Sequence, residues 1–205
     1  MRRPECVRQG KRPSPPSLPR PLMLSDLQRR KYTANFNLYD TDGNGTVERS
    51  DFERVVDRWT RSHGLPPDSP DYARAQGTVL GIWEFVRTMG TPGGDGVALS
   101  DWMAAAERIV GAKDDPVMME QAYRAPARSL FAVMDRDGDG RVSEAEYCAY
   151  LGAYGVEGDE AREAFGRLDR DGDGSITVDE WVENVVEFYF SDDPTAPGNW
   201  YIGPF

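Results

Sequence analysis

Apolar side chains recur at helical spacing along three stretches of the chain. Ala127, Leu130, Phe131 and Met134 form one run, and Ala161, Ala164, Phe165 and Leu168 form another with the same internal spacing. Tyr32, Phe36 and Tyr39 form a third. Residues three and four apart share a helix face, so each run predicts an amphipathic helix with one buried stripe. Every run stops at a polar break of twelve residues, and the period then resumes: at Phe52, Val55, Val56 and Trp59, at Tyr147, Tyr150, Leu151 and Tyr154, and at Trp181, Val185 and Phe188. The pattern predicts helix, loop, helix in each case. Ser25 and Gln28 stand at capping-box spacing where the first helix should begin.

The three breaks are copies of one another: DTDGNGTVERSD at 40–51, DRDGDGRVSEAE at 135–146 and DRDGDGSITVDE at 169–180, the last two in a register of 34 residues. Carboxylates packed this closely repel one another unless a cation sits among them. Each copy offers side-chain oxygens at its first, third and fifth positions, glycine at the sixth, a backbone carbonyl at the seventh and a carboxylate at the twelfth, a spacing that resembles the EF-hand calcium loop. Calcium takes six to eight oxygens at about 2.3–2.6 Å, so a tight turn must bring alternate side chains inward, and glycine permits the turn. The expected ligands are Asp40, Asp42, Asn44, the Thr46 carbonyl, Glu48 and Asp51 in the first loop. In the 135–146 loop they are Asp135, Asp137, Asp139, the Arg141 carbonyl, Ser143 and Glu146; in the last they are Asp169, Asp171, Asp173, the Ser175 carbonyl, Thr177 and Glu180. Asp51 is one methylene shorter than the glutamates that close the other two loops, so magnesium should compete with calcium most strongly at 40–51.

EF-hand loops pair through their eighth residues in a short antiparallel bridge. Val142 and Ile176 make one such pair, which leaves Val47 without a mate and predicts a further hand between residues 60 and 112. Placing Trp102 directly after the loop sets the loop at Gly90–Asp101, with Val97 in eighth position and Ile82, Phe85, Val86 and Met89 on the preceding helix. Gly90, Pro92 and Gly94 then stand where side-chain oxygens are needed, and Asp95 stands where glycine belongs, so this hand should serve as scaffold.

Active, silent, active, active is the order of the calerythrin and sarcoplasmic calcium-binding protein family, which the chain resembles from about residue 23 to its end. The long spacer between the first two loops and the terminal SDDPTAPGNWYIGPF add to the likeness. The resemblance implies an all-α, compact protein of two pairs of EF-hands with loop–loop β-bridges. It also implies a cytosolic calcium buffer, and terminal aromatic residues that fold back into the protein. The expected layout is a disordered basic, Pro-rich extension at 1–22, an N-terminal pair at 23–112, a C-terminal pair at 113–190 and an apolar tail at 191–205. The basic leader is either a genuine tail or the product of an upstream start, with Met23 as the alternative first residue.

Composition narrows the function further. The net charge is −11, and residues 1–22 carry six Lys or Arg against one Glu, or +5, so −16 remains on residues 23–205. Such a surface repels nucleic acid and anionic membranes. No membrane-spanning run or secretory signal is present, and the two cysteines, Cys6 and Cys148, form no disulfide framework, so the cytoplasm is the expected location. The single His63 and lone Cys148 supply no nucleophile with its base, and no phosphate loop or zinc-type cysteine pair occurs, so an enzyme is not expected. A monomer with calcium ions as its ligands and no obligatory protein partner is the favoured reading. The alternative is a calcium sensor that exposes a groove to a target helix, although Met118, Met119 and Met134 are too scattered to resemble a Met-rich groove.

Overall fold

The computed structural model describes residues 23–91 and 94–205. The expectation for 1–22 lies outside the described residues. The first helix, α1 (Asp26–Tyr39), starts at the anticipated capping box: the Ser25 hydroxyl accepts from the Gln28 amide at 3.2 Å while the Gln28 side chain accepts from the Ser25 amide at 3.0 Å. The first loop runs through β1 (Thr46–Glu48) into α2 (Arg49–Ser62), and the second hand follows as α3 (Pro70–Val86), β2 (Gly96–Ala98) and α4 (Leu99–Gly111). The third hand enters through α5 (Pro116–Met119), a π-helical turn at Glu120–Arg124 and α6 (Ala125–Met134), then leaves through β3 (Arg141–Ser143) and α7 (Glu144–Ala153). The fourth comprises α8 (Asp159–Leu168), β4 (Ser175–Thr177) and α9 (Val178–Phe190), and a 3₁₀ turn at Pro197–Trp200 lies in the tail.

Both loop bridges form in the expected register. Strands β1 and β2 pair antiparallel with Val47 opposite Val97, and β3 and β4 pair with Val142 opposite Ile176. All four of these side chains are fully buried, so each bridge doubles as the apolar floor beneath a loop pair. The apolar stripes read from the sequence point inward almost throughout, with Ile82, Phe85 and Met89 of the second hand only half-buried. One continuous core results, because α2 packs on α7, α3 on α6 and α1 on α9, carrying contacts from one pair of hands to the other. Aromatic rings mark that seam: Tyr39 lies 6.1 Å from Tyr154, and Trp59 lies 6.4 Å from Tyr150. No described helix is long and apolar enough to cross a membrane.

The tail divides. Tyr201 and Ile202 are buried, with the Tyr201 ring 5.1 Å from Trp181 and 5.4 Å from Phe188. The Tyr147 hydroxyl donates to the carbonyls of Trp200 and Tyr201, both at 3.3 Å. Trp200 is half-buried under the Arg167 guanidinium, and Phe205, whose apolar character suggested a buried place, is 42% exposed although its ring reaches Phe188.

Candidate metal centres

The three acidic loops share one hydrogen-bond plan. In each, the first-position carboxylate accepts the amide of the sixth-position glycine: Asp40 from Gly45 at 2.9 Å, Asp135 from Gly140 at 3.0 Å and Asp169 from Gly174 at 2.8 Å. Those glycines have φ near 85°, a conformation L side chains rarely adopt, which is why the position requires glycine. The fourth-position glycines, Gly43, Gly138 and Gly172, also have positive φ, so each loop turns twice. Asp42, Asp137 and Asp171 accept the amide two residues on, and Asn44, Asp139 and Asp173 do the same for the amides of Thr46, Arg141 and Ser175. Backbone N–H groups thus hold acidic side chains around a common centre and offset part of their repulsion.

The twelfth residue closes the ring from the next helix. Glu146 accepts from the amides of Arg136 and Ser143, each at 2.9 Å, and Glu180 accepts from those of Arg170 and Thr177 at 3.0 and 2.9 Å. Ser143 and Thr177 are the N-caps of α7 and α9, with the glutamates completing capping boxes, so the helix start itself aims the last carboxylate into the loop. Burial alone would raise the pKa values of Glu146 and Glu180, yet the converging backbone and hydroxyl donors pull both below the usual glutamate value. Asp51 plays the same part at α2, accepting from Thr41 at 2.9 Å and Glu48 at 2.7 Å. Carboxylate oxygens of Asp40, Asp42 and Asp51 lie within 4.8 Å of one another, as do those of Asp135, Asp137 and Glu146 and of Asp169, Asp171 and Glu180. That span is about twice a calcium–oxygen distance, so one ion fits inside each oxygen triad.

Family models match the same stretches: the EF-hand model at residues 34–56 and 161–186, and the EF-hand domain pair model at 126–154. Calerythrin of Saccharopolyspora erythraea is 24% identical over 168 residues, covering 82% of this chain and 95% of its own. The calcium-binding protein of Streptomyces coelicolor superposes with a TM-score of 0.66 at 28% identity, covering 79% of this chain and 97% of that one. The luciferin-binding protein of Renilla reniformis is 30% identical over 181 residues, covering 85% of this chain and 92% of its own. The chain belongs to the EF-hand family of calerythrin and the sarcoplasmic calcium-binding proteins. It is a calcium-binding protein of that family.

Within this calerythrin-type frame, several residues at the loops escaped a reading by spacing. Arg54 of α2 donates to Asp51 at 2.6 Å and to Asp42 at 2.7 Å, a guanidinium bridging two carboxylates of the first triad. The only sequence cue was the three-residue step from Asp51 to Arg54 on one helix face. Arg141 reaches across the bridge to Asp173 at 2.6 Å and Ser175 at 2.5 Å, turning one Asp173 oxygen toward the neighbouring loop. Arg170, second in the last loop, donates to Asn184 at 3.0 Å and Glu187 at 2.6 Å on α9, and Glu187 also accepts the Gly198 amide at 3.0 Å. The fourth loop is therefore tied through Arg170 and Glu187 to the tail. Asp139, Asp173 and Glu48 are not among the carboxylates of the three triads, and Glu48, Ser143 and Thr177 stand beside the loops as the N-caps of α2, α7 and α9.

In the second hand, Gly90 and Gly94 offer no side-chain oxygen, and glycine at 96 answers to packing. A Cβ there would stand 2.5 Å from a Thr46 methyl across the bridge. His63 directly follows α2, stacks 4.1 Å from Trp59, and has its pKa lowered by burial. Cys148 is half-buried. Neither belongs to a cluster of metal-ligating side chains among the described residues.

Proposed function

We propose that this protein is a cytoplasmic, monomeric calcium buffer that binds three ions, one at each acidic loop. The ligands are Asp40, Asp42, Asn44, the Thr46 carbonyl, Glu48 and Asp51 at the first site. At the second they are Asp135, Asp137, Asp139, the Arg141 carbonyl, Ser143 and Glu146, and at the third Asp169, Asp171, Asp173, the Ser175 carbonyl, Thr177 and Glu180. The working layout is an N-terminal pair of hands at 23–112, a C-terminal pair at 113–190, and a tail at 191–205 that occupies the apolar cleft of the second pair.

The observation that carries the buffer reading is the burial of Tyr201 and Ile202 against Trp181 and Phe188. A calcium sensor works by exposing such a surface to a target helix. With the surface covered by the chain's own end, calcium is held without a signal. The rival sensor reading has one finding in its favour, because the Streptomyces coelicolor relative is described in terms of calcium-mediated regulation. Deleting residues 198–205 and adding the anionic dye 1-anilinonaphthalene-8-sulfonate in calcium separates the two. A buffer gives little fluorescence in the intact protein and a several-fold rise in the truncated one; strong fluorescence already in the intact, calcium-loaded chain supports a sensor.

The first site differs in kind. Its closing carboxylate is short, and Arg54 holds both Asp51 and Asp42, so an arriving ion must draw them from a guanidinium. Calcium prefers a bidentate closing carboxylate and seven or more oxygens, whereas magnesium accepts six in a tighter shell. Asp51→Glu should increase calcium's advantage over millimolar magnesium at this site by several-fold in a competition titration. An unchanged ratio contradicts the assignment.

A further inference from the structure

Backbone amides use only one oxygen of the aspartates at the third and fifth loop positions. Asp42, Asp137, Asp139, Asp171 and Asp173 each accept the amide two residues on through Oδ1, which leaves Oδ2 to serve an ion. What meets that second oxygen differs from loop to loop. In the 40–51 loop Arg54 donates to Asp42 Oδ2 at 2.7 Å, and in the 169–180 loop Arg141 donates to Asp173 Oδ2 at 2.6 Å. In the 135–146 loop, Oδ2 of Asp137 and of Asp139 accepts no hydrogen bond among the described residues. No described Arg or Lys side chain forms an ion pair with any carboxylate of that loop, whereas the other two loops each hold one.

The closing carboxylates divide in a similar way. Glu146 and Glu180 each accept from two amides and one hydroxyl. Asp51 accepts from two amides and the Thr41 hydroxyl and, in addition, from the Arg54 guanidinium at 2.6 Å. Arg54 is itself fixed, because its Nε donates to the same Thr41 hydroxyl at 2.9 Å. Asp51 is 1% exposed, so water and salt weaken its pairing little. The pair of Arg141 with Asp173 is open to solvent on both sides, with side chains 49% and 37% exposed, and water weakens it more.

A guanidinium seated on a ligand oxygen has two effects of opposite sign. It offsets the repulsion among the loop carboxylates, which favours the folded loop, and it must leave that oxygen before a calcium ion can take it, which weakens the ion's hold. The strength of each pairing then ranks the loops.

We propose that Arg54 and Arg141 are affinity-setting residues, internal cations on ion-facing oxygens of the first and last loops, so that calcium fills the 135–146 loop first, 169–180 second and 40–51 last. This order rests on the reading of one calcium ion per acidic loop and adds to it which loop fills when. Arg141 acts across the bridge: its carbonyl belongs to the loop that fills first, while its guanidinium holds back the one that fills second.

The test follows each loop separately in the full chain, stripped of metal and titrated with calcium. The amides of Gly45, Gly140 and Gly174 donate to the first carboxylates of their own loops, so their signals in a proton–nitrogen correlation spectrum report the three sites one by one. Gly140 should reach its calcium-bound position at the lowest calcium concentration, then Gly174, then Gly45. Arg54→Gln should tighten calcium at the first loop by about five-fold or more, and Arg141→Gln should tighten it at the last loop by about two- to three-fold. Both variants should melt at a lower temperature than the unaltered protein when free of metal, an opposition of signs that a merely structural arginine would not produce. Arg54→Lys keeps the charge without a planar fork to span Asp42 and Asp51, and its affinity should lie between. Arg49→Gln removes a positive charge from the same loop whose partner is Glu53 and not a ligand, and should leave the first site nearly unchanged. Gly174 or Gly45 responding with or ahead of Gly140, a folded Arg54→Gln protein whose first loop binds calcium no tighter, or an equal gain in Arg49→Gln overturns the proposal. A loop whose glycine signal stays in place at saturating calcium overturns the three-site reading instead.

Discussion

Replacing Trp181 with alanine should lower the stability of the calcium-loaded protein by about 3–5 kcal/mol, the range for truncating a buried aromatic to alanine. The side chain is fully buried and sits at the junction of three structures: its ring lies 6.3 Å from Tyr147, 6.1 Å from Tyr150 and 5.1 Å from Tyr201. Its indole nitrogen donates to the Ala127 carbonyl at 3.0 Å, which would be left without that donor. The substitution therefore opens a void and removes a buried hydrogen bond where α6, α7 and the tail meet. Urea unfolding measures the effect, and a loss below about 1 kcal/mol, in the range of ordinary surface changes, would mean that this contact is not the keystone of the C-terminal pair.

Chelating calcium should lower the melting temperature by roughly 20 °C. Residues 23–205 carry −16, and the three oxygen triads place like charges within 4.8 Å of one another, so the ions neutralise what the fold concentrates. A ligand present at a hundred times its dissociation constant stabilises the native state by about 2.7 kcal/mol per site, or roughly 8 kcal/mol for three independent sites. For a domain of this length each kcal/mol shifts the midpoint by about 2–4 °C. Thermal melts followed by circular dichroism, with and without excess chelator, provide the comparison. Equal midpoints would show that the loops fold without need of the ion.

What the sequence disclosed and what it concealed divide along a physical line. The loops were legible because ligand chemistry and glycine φ impose a fixed local spacing, and their pairing followed from the burial that eighth-position Val and Ile require. The second hand was found through the unpaired Val47, not through any ligand of its own. Lys31 was hidden, since a lysine in a polar stretch of α1 reads as exposed. It is instead fully buried, donating to the carbonyls of Glu187 and Ser191 at 3.2 and 2.7 Å and to Asn199 at 3.1 Å. Those acceptors lie more than 150 residues away, so no local pattern could announce them. Burial lowers its pKa to about 8 even though Glu187 and Asp192 oppose the shift.

Gly198 was concealed for the same reason. Its amide meets Glu187, and a Cβ there would collide with the Asn184 carbonyl, a close approach set by how the tail lies on α9. A cavity of about 460 Å³ lined from both pairs of hands, by Trp102 and Leu130 among others, likewise follows from long-range packing and appears only in three dimensions.

The central claim is that three loops, and not the Gly90–Asp101 loop, each bind one calcium ion. Isothermal calorimetry of the full chain, stripped of metal and titrated with calcium, measures this most directly. The account predicts a stoichiometry of three that falls to two at micromolar calcium in Glu180→Gln, which removes the bidentate ligand of the last loop. A stoichiometry of two or four in the unaltered protein would contradict it.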